Sequence, residues 1–395
     1  MAIQHNPLPN MKRRIVVVTG GRAEYGLLRP LLNEIKLRPD LELSLIVTGM
    51  HLSPYYGETV ETIKKDNFTI AAEIEILLSS DTGSGVAKAT GLGLIGFADA
   101  YRSLNPQLVV VLGDRFESFS AALTAAFFKI PVAHIHGGEL TEGALDDALR
   151  HSITKLASLH FTSHESYAHR VLQLGENSSR IFNVGSLAED NIADIDFLDK
   201  DALGQSLGID LTGDIAVITF HPETAERTSP AQQINPLLSA LENLPKDIKL
   251  IFTMANADAG GMAINAEISK FVDENKDRAA CYKMLGTERY MSLISHAFAV
   301  IGNSSSGILE APLLNVPTVN IGTRQNGRFR SPTIIDCPSQ KDAIHKAIMK
   351  AKNIERKPTI LPQKHVARDI VKILSAYDLT LPLKLPFNDF PLNEA

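Results

Sequence analysis

Imidazole and carboxylate groups follow two apolar segments in the first half of the chain. Asp114 comes just after the run LVVVL. His134, His136 and Glu139 lie at and beyond the end of the next apolar segment, 131–136. Because parallel strands end at one edge of a sheet, we expect these side chains to lie close together, with both histidines on one strand face. Such groups, held in a cleft, suit general acid–base chemistry near neutral pH.

Plainer roles compete for these residues. Asp114 precedes a predicted helix, where an aspartate often serves only as an N-cap worth about 1 kcal/mol. The two histidines could hold a metal ion with Glu139 and Asp146, but the pair lacks the third-ligand spacing of a defined zinc site. Asp146 also opens a predicted helix with basic residues one turn later, which in part only complements the helix dipole. Acid–base chemistry is the favoured interpretation.

Two turns rich in glycine or serine could bind a phosphate. TGGRAEYG at 19–26 combines a glycine turn with the Arg22 guanidinium, and GNSSSGILE at 302–310 places three serines at a predicted helix start. Free N–H groups at a helix N-terminus attract phosphate, and Glu310, one turn in, can accept both hydroxyls of a ribose. The first segment lacks the dinucleotide fingerprint, and the second lacks the Gly-x-Ser-x-Gly of a nucleophilic serine. An ordinary tight turn and a polar N-cap are the alternatives.

Four further polar residues stand at the ends of apolar runs. Open α/β sheets bind ligands outside the carboxyl ends of their strands, so these residues belong to the candidate site, where their side chains suit substrate and phosphate binding. They are Arg115, His221, Asn256 and Arg324.

Short β-branched runs alternate with longer helical segments, which is typical of βαβ units on parallel sheets. The predicted strands are 14–19, 43–48, 108–112, 131–136, 159–162, 181–184, 215–220, 249–253, 297–301 and 317–321. The predicted helices are 26–36, 115–129, 230–241, 264–275, 288–295 and 305–314.

An acidic, helix-like stretch between Gly185 and Gly213 interrupts this alternation and indicates a linker. The sequence therefore predicts an α/β protein of two Rossmann-like domains, at 1–190 and 191–370. The proline-punctuated end, within 371–395, is predicted to pack back on the first domain.

Composition narrows the function classes. A chain of 395 residues with 44% hydrophobic residues and a net charge of −6 is typical of a folded, multidomain protein and does not indicate a nucleic-acid surface. Cys281 and Cys337 alone provide neither a dense disulfide framework nor the spacing of a four-ligand zinc site. The first residues lack the apolar core of a signal peptide, and no run reaches membrane-spanning length. We expect a cytoplasmic protein with no membrane partner.

Eight motifs, in this order across residues 14–330, resemble those of the hydrolysing UDP-N-acetylglucosamine 2-epimerases of bacterial sialic-acid-type sugar biosynthesis. They are TGGRAEYG, VTGMH, VLGDR, HIHGGE, LRHSITK, FHPET, IGNSSSGILEAP and NIGTRQ. The resemblance implies a glycosyltransferase-B-like fold, with a UDP-sugar in the cleft between two domains. It also implies no metal, no nicotinamide cofactor, and a homodimer or higher homo-oligomer.

The family reaction begins with loss of the C2 proton and anti elimination of UDP from UDP-N-acetylglucosamine. Water then adds to the enzyme-bound 2-acetamidoglucal and N-acetylmannosamine is released. By resemblance, Asp114 and Asp146 match catalytic carboxylates, while His221 lies on the diphosphate and Glu310 on the ribose. The full set that matches the UDP site is Arg22, His221, Asn256, Ser304, Ser305, Glu310 and Arg324.

The motif HIHGGE departs from many relatives, which read HIEGGE. The C2 base is therefore either His136, or Asp114 and Asp146 with His136 orienting the reaction, and Glu139 has a supporting role. The loop after Glu139 is one residue longer than in HIEGGE relatives, which leaves a second substrate open, UDP-2,4-diacetamido-2,4,6-trideoxyglucose of legionaminic acid synthesis. The rival functions are a retaining glycosyltransferase and a nucleotide-sugar sensor without turnover.

Overall fold

A computed structural model describes residues 12–57, 59–80, 82–140, 145–223, 228–255, 260–356 and 365–389. These residues form two parallel β-sheets, one in each half of the chain. The strands are Arg13–Thr19 (β1), Leu41–Thr48 (β2), Ile70–Ile74 (β3), Leu108–Leu112 (β4), Val132–Ile135 (β5), Leu159–Thr162 (β6), Ile181–Asn183 (β7), Ile215–Thr219 (β8), Lys249–Thr253 (β9), Ala279–Tyr282 (β10), Ala299–Gly302 (β11), Thr318–Ile321 (β12) and Ile334–Cys337 (β13).

Helices connect these strands. The α-helices are Arg22–Leu37 (α1), Val60–Lys65 (α2), Gly83–Leu104 (α3), Phe116–Phe127 (α4), Asp146–Leu156 (α5), Glu165–Gln173 (α6), Leu187–Ala193 (α7), Lys200–Leu207 (α8), Pro230–Glu242 (α9), Gly261–Glu274 (α10), Thr287–His296 (α11), Ser306–Leu309 (α12), Lys341–Lys352 (α13) and Val366–Ala376 (α14). Short 3₁₀ helices lie at Gly49–Leu52, Pro54–Tyr56, Ser178–Arg180 and Ala311–Leu314.

The first sheet has the order β3-β2-β1-β4-β5-β6-β7, and the second has the order β10-β9-β8-β11-β12-β13. The apolar run of β1 is continuous because both faces of the strand are buried. Ile15 and Val17 pack into one core, while Val16 and Val18 pack into the core on the opposite face.

In both sheets the strand order reverses direction beside the first strand, which is β1 in the first sheet and β8 in the second. Ligands of open α/β sheets bind at such switch points.

Several elements differ from the sequence prediction. Strands β3, β10 and β13 and the long helix α3 were absent from it, and α1 begins four residues earlier than predicted. The helix predicted at 305–314 is divided into α12 and a 3₁₀ turn, because Pro312 cannot donate a backbone hydrogen bond.

The predicted linker contains two helices, α7 and α8. A capping box of Ser186 and Glu189 starts α7. Asp190 in α7 is fully buried, and its carboxylate accepts hydrogen bonds from the backbone N–H groups of His365 and Val366, at 2.7 and 3.1 Å. The start of α14 is thereby fixed to the region between the two sheets.

The chain returns to the first domain after the second sheet. Helix α14 packs on α1 and α7 and contributes to the core of the first sheet. Beyond it, Arg180 donates to the carbonyl oxygen of Leu383 at 2.7 Å, and Lys384 binds the Glu176 carboxylate at 2.6 Å. The predicted domain limits of 190 and 370 stay a prediction, and residue 370 lies inside α14.

Within the described ranges, no helix is long and apolar enough to cross a bilayer.

Candidate active site

The carboxyl ends of the two sheets face one another across a cleft. Arg22 at the start of α1 donates from Nη2 to the carbonyl oxygen of Met254, which follows β9, at 3.0 Å. Arg324, which follows β12, lies 3.0 Å from the carboxylate of Asp146 at the start of α5. Predicted site residues from both halves of the chain therefore line one interdomain region.

Asp114 forms an ion pair with Arg150 of α5. Arg150 is only 1% exposed, and no described residue accepts a hydrogen bond from its Nε or Nη1. Helix α4 has Arg115 and not Asp114 at its N-cap position, so the plain capping role for Asp114 is wrong. The aspartate is instead the counter-ion of a buried guanidinium at the end of β4.

The two histidines near β5 have different environments. His134 is buried, with Nε2 2.7 Å from the carbonyl oxygen of Gly113 and Nδ1 3.1 Å from the Thr154 hydroxyl, and burial lowers its pKa to about 3. His136 lies beyond the end of the strand at φ 63°, so strand alternation does not apply to it. A non-glycine residue in this left-handed region stores strain, which is common at functional sites. His134 is therefore a neutral structural residue, whereas His136 has a strained backbone.

His136 and Glu139 form a buried pair. Nδ1 of His136 lies 3.3 Å from Oε1 of Glu139, and that oxygen also accepts a hydrogen bond from the Ser163 hydroxyl at 2.9 Å. Burial lowers the pKa of His136, the Glu139 carboxylate opposes this shift, and Arg328 adds to it. Nε2 of His136 has no hydrogen-bond partner in the described part of the chain. The neutral ring can therefore accept a proton at Nε2 while Nδ1 faces a carboxylate.

The loops after β8 and β11 are fixed to each other by Asn303. Its Oδ1 accepts from the backbone N–H of His221 at 2.7 Å, and its Nδ2 donates to the His221 carbonyl oxygen at 2.8 Å. Gly302 has φ 136°, and a Cβ there would lie 1.9 Å from the carbonyl oxygen of Thr219. Only glycine permits this approach, which sets the positions of His221 and the serine turn.

The serine turn leads into Glu310. Ser304 and Ser305 precede the short helix α12, and Glu310 directly follows it. The Glu310 side chain is buried, its Oε2 has no partner among the described residues, and burial raises its pKa to about 7. Tyr290 donates from its hydroxyl to Oγ of Ser306 at 2.9 Å. One carboxylate oxygen of Glu310 can therefore accept a hydrogen bond from a ligand, next to the hydrogen-bonded hydroxyls of Tyr290 and Ser306.

Other predicted phosphate contacts are already engaged within the protein. The backbone N–H of Gly20 donates to the Glu24 carboxylate at 2.8 Å, and burial raises the pKa of Glu24 to about 7. Nε of Arg115 lies 3.2 Å from the buried Glu117 carboxylate. The predicted contact at Asn256 lies outside the described residues.

Three arginine and tyrosine side chains near the predicted residues were not singled out from the sequence. Arg150 pairs with Asp114, Arg328 pairs with Glu139, and Tyr290 contacts Ser306. Arg150 had only a helix-dipole role in the sequence pattern. Arg328 follows the NIGTRQ motif by only a few residues, but spacing alone does not identify its partner. Over the described ranges, no three His, Cys, Asp or Glu side chains are grouped as a metal site.

Two facing parallel sheets with a polar cleft at their carboxyl ends define the glycosyltransferase-B-like class of α/β proteins. A solved structure of UDP-GlcNAc 2-epimerase from Neisseria meningitidis, bound to UDP-GlcNAc, has this fold. It superposes with a TM-score of 0.75 at 16% identity, over 91% of this chain and 99% of that one. The predicted fold class is confirmed.

Sequence comparison narrows the class. Residues 33–375 match the family model described as UDP-N-acetylglucosamine 2-epimerase. The chain is 45% identical to the GDP/UDP-N,N'-diacetylbacillosamine 2-epimerase (hydrolyzing) of Campylobacter jejuni, over 82% of this chain and 84% of that protein. It is 40% identical to the polysialic acid biosynthesis protein P7 of Escherichia coli, over 85% of each. It is 37% identical to the UDP-N,N'-diacetylbacillosamine 2-epimerase (hydrolyzing) of Legionella pneumophila, over 87% of this chain and 90% of that protein. The chain belongs to the UDP-N-acetylglucosamine 2-epimerase family.

Proposed function

We propose that this protein is a hydrolysing UDP-sugar 2-epimerase. It converts a UDP-linked 2-acetamido sugar and water into UDP and the free sugar inverted at C2. The observation that carries the proposal is the interdomain cleft. There Asp146 and Glu139 of the first domain pair with Arg324 and Arg328 of the second. Glu139 also contacts His136, and it is near enough to Glu310 of the second domain to act on that carboxyl group electrostatically.

The first step is an elimination. A base takes the C2 proton, the C1–C2 double bond forms, and the C1–oxygen bond breaks with its electron pair leaving on UDP. We assign removal of the C2 proton to Nε2 of His136, because that nitrogen has no hydrogen-bond partner in the described residues. Asp114 and Asp146, in contrast, each already pair with an arginine. Glu139 at Nδ1 favours the tautomer whose Nε2 accepts a proton.

The second step adds water across the double bond. The oxygen of water bonds to C1 as a carboxylate takes the proton of the water. A proton is delivered to C2 on the face opposite to the one from which the first proton left, which inverts the configuration at C2. Asp114 and Asp146 are the groups that we place at water activation, where a carboxylate accepts the proton of the attacking water, and at the departing diphosphate, where a protonated carboxyl group donates its proton to the leaving oxygen. Asp114 or Asp146 as the C2 base, with His136 orienting, is the other assignment that the sequence left open. The two assignments differ in which single variant loses exchange of the C2 proton.

The second domain binds the nucleotide in this proposal. Glu310 accepts the ribose hydroxyls, and His221 with the turn at Ser304 and Ser305 lies on the diphosphate. A leaving diphosphate gains negative charge in the elimination, so cationic and N–H donors at this end lower the barrier. Arg22 supplies one such cation from the first domain.

Two UDP-sugars are candidates for the preferred substrate. The sequence motifs favoured UDP-N-acetylglucosamine, with the 2,4-diacetamido-2,4,6-trideoxyglucose nucleotide as the second substrate. We propose the second as the preferred one, because the relatives at 45% and 37% identity carry names for the same diacetamido sugar, diacetylbacillosamine. The longer loop after Glu139 is consistent with a different group at C4 of the hexose.

The test presents both UDP-sugars to the purified protein in parallel and follows products by NMR. We expect UDP and a free C2-inverted sugar from each, with the larger kcat/KM on the diacetamido nucleotide. A lasting UDP-linked C2 epimer contradicts the hydrolysing reaction. UDP release that requires an added sugar acceptor indicates a glycosyltransferase, and tight binding without any product indicates a sensor.

A further inference from the structure

The loop 322–330 of the second domain contacts the His136–Glu139 pair of the first domain. Nη2 of Arg328 lies 3.3 Å from Oε2 of Glu139, and Nε of Arg328 donates to the carbonyl oxygen of Leu140 at 3.1 Å. The side chains of Arg328 and Glu139 are only 5% and 1% exposed. This ion pair is therefore a buried contact between the two domains, next to a proposed proton-transfer group.

Both oxygens of Glu139 are occupied, and by different domains. Oε1 faces His136 Nδ1 and accepts from Ser163, both of the first domain, while Oε2 faces Arg328 of the second. A carboxylate held at both oxygens has a fixed plane, so the imidazole that rests on it has a fixed orientation. If the domains separate, Oε2 loses its partner and this constraint is lost.

The rest of the loop is shaped to hold Arg328 in place. Gly327 has φ 77°, and a Cβ there would lie 2.3 Å from Cδ1 of Leu140, so the backbone approaches the first domain as closely as glycine allows. The backbone N–H of Phe329 donates to the Tyr167 hydroxyl at 2.8 Å, and its ring stacks on His164 at 4.6 Å. The residues before and after Arg328 in the chain therefore both contact the first domain, and they hold the loop against it.

We propose that Arg328 is a positioning residue that acts from the second domain through Glu139, so that His136 is oriented for proton transfer only when the two domains are closed. This inference rests on the proposed function, since it assigns His136 a proton-transfer step. Arg328 itself does not contact the sugar in this scheme. Closure of the cleft and assembly of the proton-transfer pair become one event, which keeps the reactive imidazole inactive in the open protein.

The test compares Arg328→Gln and Arg328→Lys with Arg330→Gln. Arg330 belongs to the same loop, donates from Nη1 to the carbonyl oxygens of Gln325 at 2.7 Å and of Arg328 at 3.2 Å, and pairs with Asp336, without contact to Glu139. It therefore controls for loss of loop order alone. Steady-state kinetics on the better UDP-sugar give kcat and KM. Ring ¹⁵N NMR of labelled histidines, with the His136 signal assigned from a His136→Asn variant, reports on the imidazole without turnover.

For Arg328→Gln we expect kcat to fall by about 100-fold with KM changed by less than about 3-fold, the size of effect that a misplaced reacting group produces. Arg328→Lys should recover part of kcat, and Arg330→Gln should stay within about 2-fold of the wild type. Combined with Glu139→Gln, the Arg328→Gln change should add almost nothing, because both act through one carboxylate.

The His136 titration supplies the independent measurement. The charged groups that act on His136 are Glu139, which favours the imidazolium, and Arg328, which disfavours it, while the neighbouring His134 is neutral. Removal of Arg328 should therefore move the His136 titration to higher pH, and Arg330→Gln should not.

Two results would overturn the inference. If Arg328→Gln raised KM and weakened UDP binding while kcat and the His136 signals were unchanged, Arg328 would be a substrate-binding residue. If Arg330→Gln reproduced the losses of Arg328→Gln, the role would be loop order alone. A wild-type protein that released no UDP would refute the proposed function, whereas the His136 titration would still decide the link to Arg328.

Discussion

Arg324 and Asp146 are 178 positions apart in the chain, yet their side chains meet at 3.0 Å across the cleft. Arg324 also donates from Nη1 to the carbonyl oxygen of Asn303 at 3.3 Å, so one guanidinium connects the serine turn of the second domain with helix α5 of the first. Arg328 makes a parallel connection to Glu139. Two of the four predicted catalytic groups therefore carry a counter-ion from the opposite domain.

Replacing Arg324 with glutamine should loosen the closed arrangement. The variant loses an ion pair whose side chains are 9% and 20% exposed, and removal of one partner from a buried pair costs up to about 3–5 kcal/mol because the other charge loses this counter-ion. Small-angle scattering of the ligand-free variant should give a larger radius of gyration than the wild type, and UDP should reverse part of the increase. Arg330→Gln is the matched control. Identical profiles for Arg324→Gln and the wild type would show that this pair does not hold the cleft closed.

Asp114→Asn should greatly reduce turnover but spare nucleotide binding. The substitution keeps the size of the side chain but removes the negative charge that faces Arg150, a guanidinium that is 1% exposed. We expect kcat to fall by about 100-fold or more, the contribution typical of a positioned acid or base, while the Kd for UDP changes by less than about 3-fold. Calorimetry and initial rates measure the two quantities. Near-normal turnover would exclude Asp114 from the reaction.

Glu310 should release a proton when UDP binds. Burial raises its pKa to about 7 in the free protein, so near neutral pH part of the population carries a proton. Ribose hydroxyls donate hydrogen bonds and favour the ionised form, so binding should release more protons from the wild type than from Glu310→Gln. Calorimetry in two buffers of different ionisation enthalpy measures the difference. Equal proton release from both proteins would place the ribose elsewhere.

Most of the strands that the sequence predicted are buried on both faces, although the partly exposed edge strand β7 was also predicted. Strands β1 and β4 lie in the middle of the first sheet, where both faces of each strand are covered and the apolar run is unbroken. The three strands that were missed, β3, β10 and β13, are all edge strands, whose outer residues remain partly exposed and interrupt the pattern.

Helix α3 was missed because five glycines lower its helix propensity. The structure gives a packing reason for two of them. A Cβ at Gly93 would lie 2.9 Å from Cβ of Ser120, and one at Gly96 would lie 2.2 Å from Cγ2 of Ile74. Close approach of α3 to its neighbours explains these glycines, and propensity does not detect it.

The same limit applies to the site. Asp114, His136 and Glu310 could be named as candidate site residues from the sequence because strand ends meet at one edge of a parallel sheet. The partners Arg150 and Arg328 were not, because their contacts are set by tertiary packing, and no spacing in the sequence encodes them. Strain at His136 is likewise a backbone property that appears only in three dimensions.

Glu176 should control acid stability of the first domain. Burial alone would raise its pKa, but hydrogen bonds from His160, Lys155 and Lys384 outweigh burial and lower the pKa to about 2. A lowered carboxyl pKa stabilises the fold above the unfolded value near 4.5 and loses this effect as pH falls towards 2. Glu176→Gln should therefore cost about 1–3 kcal/mol at pH 7, after discounting for solvent, and flatten stability between pH 4.5 and 2.

Urea unfolding at pH 7 and at several pH values between 4.5 and 2 measures this effect. Glu165→Gln is the matched control, because that carboxylate is 78% exposed and pairs only loosely with His169 at 3.9 Å. A pH profile for Glu176→Gln that is as steep as that of the wild type would contradict the assigned role.

The reaction at C2 is most directly tested by turnover in deuterated water. The protein is incubated with each UDP-sugar, and the products are followed by proton NMR and mass spectrometry. The proposed elimination predicts UDP and a free sugar of inverted C2 configuration that carries one deuterium at C2. A product that keeps its original hydrogen at C2, or remains linked to UDP, would contradict it.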